Sequence, residues 1–205
     1  MLPVATNLRI TKTPWITYSI VAANVLIHLL VTWNTNFVIS DRVVRAFGFD
    51  PASFGNLSAM NMIFLLVFGR QVENQLERIN FLAFYLVTGI AAALAHMFMQ
   101  PNSSSPLIGA SGAISGVLGA FFICNPRARI TLVLEPVLIY FLRRLIIRVP
   151  AWIFLPVWFF LQISLALKPH GTSVAFWAHV GGFLAGAVVA VSVCRYIPKN
   201  YCPHH

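Results

Sequence analysis

The sequence predicts an all-α fold, a polytopic bundle of six transmembrane helices forming a single domain over residues 1–205. Three observations predict it. Hydrophobic residues make up 59% of the chain and charged residues 9%, with a mean hydropathy of +0.80, far above the apolar share of an ordinary soluble domain. The apolar residues are gathered into runs of the length that a bilayer core requires, about 20 residues as helix. Fourteen Lys and Arg stand against five acids, for a formal charge of +9, and the basic residues fall between the apolar runs rather than on one continuous face. That distribution argues against nucleic acid as a partner and for orientation in a membrane.

The first run, Trp15 to Trp33, is as long as a full span and is not followed by a small-residue cleavage site, so it is expected to be an anchor rather than a secretory signal. The second, Leu57 to Val72, and the fourth, Ala110 to Cys124, are short and are expected to be enclosed by their neighbours. The third runs from Phe81 to Met99, the fifth from Ala151 to Leu167 and the sixth from Val174 to Cys194. A further run, Ile130 to Leu142, is broken by Glu135 and Pro136 and followed by Arg143, Arg144 and Arg148; it suits an interfacial or re-entrant segment. No internal repeat or second domain is apparent, and Pro198 to His205 is too short to form one.

With the N-terminus inside, eleven basic residues fall on inner segments and three (Arg42, Arg45 and Lys168) on outer ones. The positive-inside rule therefore places both termini in the cytoplasm. Trp15, Trp33, Trp152 and Tyr196 near span ends fit an aromatic belt. Cys124, Cys194 and Cys202 all fall near the cytoplasmic side, where thiols stay reduced, and are expected to be packing residues.

The fourth span opens with Gly109-Ala110-Ser111-Gly112-Ala113-Ile114-Ser115-Gly116, and the sixth carries Ala178-His179-Val180-Gly181-Gly182. Both begin at the outer face, because one complete span lies between them. Ser111 stands at its helix start, and His179 lies about five residues into its own, a depth of about 8 Å. Gly112 with Gly116, and Gly182 with Gly186, are GxxxG pairs that let backbones approach closely. A serine hydroxyl is a weak nucleophile until a positioned base takes its proton, and His179 is the natural base. The bland alternative is that serine bonds a carbonyl one turn back and the glycines only pack. Ser115, on the same face, is assigned that packing role; Ser111 lies where free backbone N–H groups at a helix start can stabilise an oxyanion.

These residues resemble the rhomboid family of intramembrane serine proteases. The similarity extends over nearly the whole chain: Asn61-Met62, Phe68-Gly69, Val72-Glu73, Phe84-Tyr85, the Gly-Ala-Ser-Gly box at 109 to 112, Trp158 with Gln162, and Ala178-His179 with Gly181-Gly182. The resemblance implies a six-helix rhomboid-like core, with Ser111 as nucleophile and His179 as general base of a dyad without an acid. It implies oxyanion donors at the Ser111 backbone N–H, with Gly112 as a weaker candidate, and at Asn61, the Asn of an HxxxN pair. The His of that pair is replaced by Leu57. The connector Asn34 to Asn56, with a turn at Asp50, Pro51 and Gly55, is also shorter than similar members carry. Some members have a tyrosine where Ser115 stands, so another side chain must hold His179.

His96 is expected to be a polar cap at the water boundary, and His28 to hydrogen-bond a neighbouring helix. His170, His204 and His205 look exposed, and no histidine spacing suggests a metal. No cofactor is implied. The expected activity is intramembrane endopeptidase cleavage of single-span membrane proteins, and the compact form suggests a bacterial cytoplasmic membrane. A pseudoprotease that binds membrane clients without cutting them is the alternative; a channel or transporter is weaker, since no span is lined with several polar groups.

Overall fold

A computed structural model of the chain describes residues 2–33, 59–101, 110–133, 146–168 and 174–194. Leu57, the connector 34–56, Gly109, the break at Glu135 and Pro136, His170, Tyr196, Cys202, His204 and His205, and the side chains of His28, Trp33 and Cys194, lie outside the described residues. The described part is mostly helical. Strand β1 is Leu2–Thr6 and helix α1 is Trp15–Trp33. Helix α2 covers residues 59–76, with a π-helical turn at Leu65–Gly69 and a last α-helical section Arg70–Leu76. Then come α3 (Arg78–Met99), α4 (Ser111–Cys124), β2 (Arg129–Val133), β3 (Ile146–Pro150), α5 (Ala151–Ala166) and α6 (Phe176–Cys194). By length and composition α3 and α6 are candidate membrane spans, while α4, α5 and residues 15–27 of α1 form shorter apolar helices.

The predicted spans and these helices agree closely at most ends. The exceptions are α3, which starts at Arg78 instead of Phe81, and α2, which runs on from Val72 to Leu76 because its polar residues find partners. The Glu73 carboxylate accepts hydrogen bonds from the Ile16 and Thr17 backbone N–H groups at 2.9 and 2.7 Å, satisfying two of the donors that a helix start leaves unpaired and placing negative charge at the positive end of α1. Asn74 Oδ1 accepts from Thr11 N, Thr11 Oγ1 and Lys12 N, and Gln71 Nε2 donates to Thr6 Oγ1 and the Leu8 carbonyl. The end of α2 thus fastens the chain that leads into α1. Glu77 breaks the helix with a φ of 68°; on the surface, its carboxylate accepts from Lys12 Nζ at 2.8 Å, which holds its pKa below the ordinary value. Glu73→Gln is expected to lower the thermal midpoint, at a cost of about 1.5–3 kcal/mol for charge-assisted bonds, while Glu77→Gln leaves it almost unchanged; scanning fluorimetry of the two variants checks this.

The strands depart from the all-α expectation. β1, β2 and β3 form an antiparallel sheet in that order, with Thr131 opposite both Ala5 and Arg148. The first residues of the run read as an interfacial segment are strand. Ile130, Thr131 and Val133, with Ile146, Ile147 and Val149, are β-branched side chains that pack well on a pleated surface. Ile130 and Leu132 are buried on one face while Arg129 on the other is exposed, the alternation of a half-buried strand. Cys124 is disulfide-bonded, which corrects the expectation of reduced packing thiols: that reading weighed only the redox compartment.

The core lies between α2, α4 and the sheet. Phe68 meets Phe121 edge-on with ring centroids 5.0 Å apart, and Leu65, Val72, Phe81, Val117, Leu118, Ile130 and Leu155 are almost fully enclosed. By contrast, Leu86, Ile90, Leu94 and Phe98 of α3 and Val157, Phe160 and Leu161 of α5 are exposed apolar residues, as a lipid-facing surface requires.

Candidate active site

Small residues set the geometry of the site. A Cβ added to Gly182 would overlap the Gly112 carbonyl oxygen, one on Gly186 would overlap that of Gly116, and one on Gly119 would overlap that of Phe183. The two GxxxG pairs read from the sequence therefore do face each other, and α4 and α6 lie backbone to backbone. Helix α3 closes the groove from a third side: a Cβ at Gly112 would stand 2.6 Å from Ala92 Cβ and 3.8 Å from Ala178 Cβ. Ser111 and His179 are the immediate chain neighbours of Gly112 and Ala178, at the same end of this crossing.

His179 is half-buried, and its ring is held by three side chains. Its Nδ1 lies 2.8 Å from Gln162 Oε1. A carbonyl oxygen only accepts, so Nδ1 carries the proton and Nε2 keeps its lone pair free to accept another. Trp158 lies alongside the imidazole with ring centroids 6.2 Å apart, and Phe176 meets it edge-on at 6.0 Å. Phe183 packs against Trp158 in turn. Gln162 and Trp158 are one helical turn apart on α5, so that helix presents both to α6. They supply the support that Ser115 does not. Sequence reading noted this pair without assigning it a task; the i, i+4 spacing of an indole and an amide on an otherwise apolar helix was the available signal.

Ser115 takes the packing role expected of it: it is buried and donates to the Ser111 carbonyl oxygen at 2.8 Å. Ser111 is half-buried, and no side chain caps the start of α4. Asn61 is half-buried on α2 before the π-helical turn. His96 is not a cap at the water boundary. It is 6% exposed, and its Nδ1 has no hydrogen-bond partner, since it lies one turn beyond Ala92 on the α3 face that packs into the α4–α6 groove. No cluster of metal-ligating side chains occurs among the described residues.

Gln162→Leu removes the acceptor that fixes the imidazole tautomer. A neutral hydrogen bond of this kind is worth about 0.5–1.5 kcal/mol, so the expected result is a loss of up to about tenfold in kcat with KM little changed, and partial recovery in Gln162→Asn. Steady-state cleavage of a membrane-spanning reporter measures both.

An apolar helical bundle with lipid-facing side chains and a histidine aligned in a closely packed groove defines a class, the helical integral membrane proteins. The chain belongs to the rhomboid family: the rhomboid domain matches residues 52–196, most of the sequence. It is 28% identical over 174 residues to rhomboid protein 1, mitochondrial, of Saccharomyces cerevisiae, an alignment that covers 80% of this chain and 45% of that protein. The chain thus spans less than half the length of this relative. No solved structure matches significantly. Strand β1 and the whole of α1 precede the residues that the rhomboid domain matches.

Proposed function

We propose that the protein is an intramembrane serine endopeptidase that cleaves single-span membrane proteins through a Ser111–His179 dyad, in the six-span arrangement of its family. The observation that carries this reading is the His179–Gln162 hydrogen bond, which commits Nδ1 as donor and leaves Nε2 as the base, next to a glycine crossing that draws the α4 and α6 backbones together. In this mechanism Ser111 Oγ attacks the scissile carbonyl carbon as its proton passes to Nε2. The oxyanion is met by the Ser111 backbone N–H at the uncapped start of α4, by Asn61 and, more weakly, by Gly112. Collapse of the tetrahedral intermediate expels the amine, which takes the proton from the imidazolium. Water then hydrolyses the acyl-enzyme with the same base. The substrate helix must unwind locally, because helical carbonyls are hydrogen-bonded and inaccessible.

Leu57, where an oxyanion histidine is expected, favours the second reading of a pseudoprotease that binds clients. Loss of one such donor costs about 10²- to 10³-fold in rate, which weakens catalysis without removing it. A fluorophosphonate probe separates the two. Covalent labelling of wild type, and none of Ser111→Ala, is the expected result; a folded wild-type protein that takes up no probe would establish the binder instead.

The basic asymmetry supports a topology with both termini on the cytoplasmic side of the host membrane. The disulfide at Cys124 is the one observation against a reducing compartment at that end. Single cysteines placed at Leu8 and Lys168, labelled from either side of sealed vesicles, decide the orientation. The relative named above is mitochondrial, so it lends no support to a bacterial host membrane.

A further inference from the structure

We propose that the outward face of the three-stranded sheet is a binding surface for anionic phospholipid, with Arg127, Arg129 and Arg148 as the residues that hold the headgroup phosphates. The inference does not depend on the catalytic reading. It starts from the pleat. Ile130 and Leu132 point into the core, so Arg129, Thr131 and Val133 point the other way. In the antiparallel register Thr131 lies opposite Arg148 and Val133 opposite Ile146, and partners across a ladder share a face. Arg148 is therefore the diagonal neighbour of Arg129, at a spacing of about 7–8 Å, wide enough for two guanidinium groups to grip one phosphate. Arg127 is exposed in the turn just before β2. The cationic end of this face passes into an apolar one at Val133 and Ile146, the latter 55% exposed.

Among the described residues no carboxylate neutralises these charges. Of the carboxylates among the described residues, Glu73 accepts from the start of α1 and Glu77 from Lys12. Lys12 and Glu77 form an ion pair with each other, away from these arginines. A guanidinium presents planar paired donors that match phosphate geometry, and three exposed ones close together suit an anion of that chemistry.

The position of the sheet selects lipid over a free phosphate. Ala151 N donates to the Ala128 carbonyl, and Trp152 N to that of Pro126, so the sheet is joined directly to the start of α5. Trp152 is 56% exposed there, and Trp15 is 57% exposed at the start of α1. Tryptophans exposed at helix ends mark the headgroup level. The sheet lies at that level, with its cationic end suited to phosphates and Ile146 to the acyl boundary.

The test uses the full chain in neutral detergent, titrated with phosphatidylglycerol, with phosphatidylcholine or with inorganic phosphate, and read by native mass spectrometry and by the thermal midpoint. Phosphatidylglycerol is expected to be retained and to raise the midpoint. Affinity should fall by roughly fivefold per arginine removed in Arg127→Gln, Arg129→Gln and Arg148→Gln, and further with added salt. Lys168→Gln, at the far end of α5, is expected to bind as wild type does. A midpoint of the triple variant unchanged in detergent alone shows that its fold is intact. Equal retention of phosphatidylglycerol by wild type and triple variant, equal binding of phosphatidylcholine, or the same stabilisation by inorganic phosphate would each overturn the assignment. None of these outcomes bears on probe labelling of Ser111, so the two proposals fail separately.

Discussion

Ser111→Ala and His179→Ala are each expected to abolish cleavage of a single-span reporter by the purified protein. In the proposed dyad the two residues act as one unit, so each variant should lose nearly as much as the double variant. In serine hydrolases that loss is about 10⁴-fold or more, and what remains comes from the oxyanion donors and binding alone. The physical reason is the hydroxyl's high pKa, which leaves almost no alkoxide unless a base accepts the proton during attack. In the proposed mechanism the Nδ1 contact to Gln162 prepares His179 for this. Retained binding of the reporter by Ser111→Ala would show that the groove still admits clients. Wild-type turnover by Ser111→Ala would end the dyad assignment, and a reduction of only a few fold in His179→Ala would show that another group takes the proton.

The second large effect is on folding. Gly186→Val places a branched side chain where a single Cβ already overlaps the Gly116 carbonyl. Backbone cannot step aside as a side chain can, so α4 and α6 must separate, carrying Ser111 away from His179. A cost above about 4 kcal/mol is expected, seen as a sharply lowered thermal midpoint or failure to fold. Gly89→Ala is the control, because its Cβ would meet only Ala113 Cβ at 3.3 Å, a contact that a small shift relieves. A wild-type midpoint for Gly186→Val would mean that the two helices do not approach as described.

The helices were legible because long apolar runs favour helix: α1 covers the predicted Trp15 to Trp33, and α4 and α5 each differ from the expected run by one residue. The glycine crossing was legible from its four-residue spacing. The sheet was not. Its β1–β2 seam joins segments far apart in the chain, as the Arg129 N to Asn7 Oδ1 bond at 2.7 Å and a separation of 122 residues shows, and no local pattern announces a partner at that distance. The extension of α2 was missed for a related reason. Gln71, Glu73 and Asn74 look like the polar end of a span, yet each is buried with partners in the segment before α1 or at its start. His96 was misplaced because depth along a helix is legible from sequence, but the direction of its face is not. Gln162 stood within the recognised pattern; its contact with His179 depends on how α5 lies against α6, which only the fold supplies.

The π-helical turn at Leu65–Gly69 divides α2 into two lengths with different rotational phase. Above it is Asn61; below it Glu73 and Asn74 clasp the chain around α1. The wider turn accommodates one residue beyond the regular repeat, and one residue corresponds to about 100° of azimuth. Trimming a single position from that stretch would let the helix revert to an uninterrupted α form, but Asn61 and the clasp could then no longer both keep their bearings. The bulge works as a phase adjuster that lets one rod hold the clasp at one end and, in the proposed mechanism, aim Asn61 at the other.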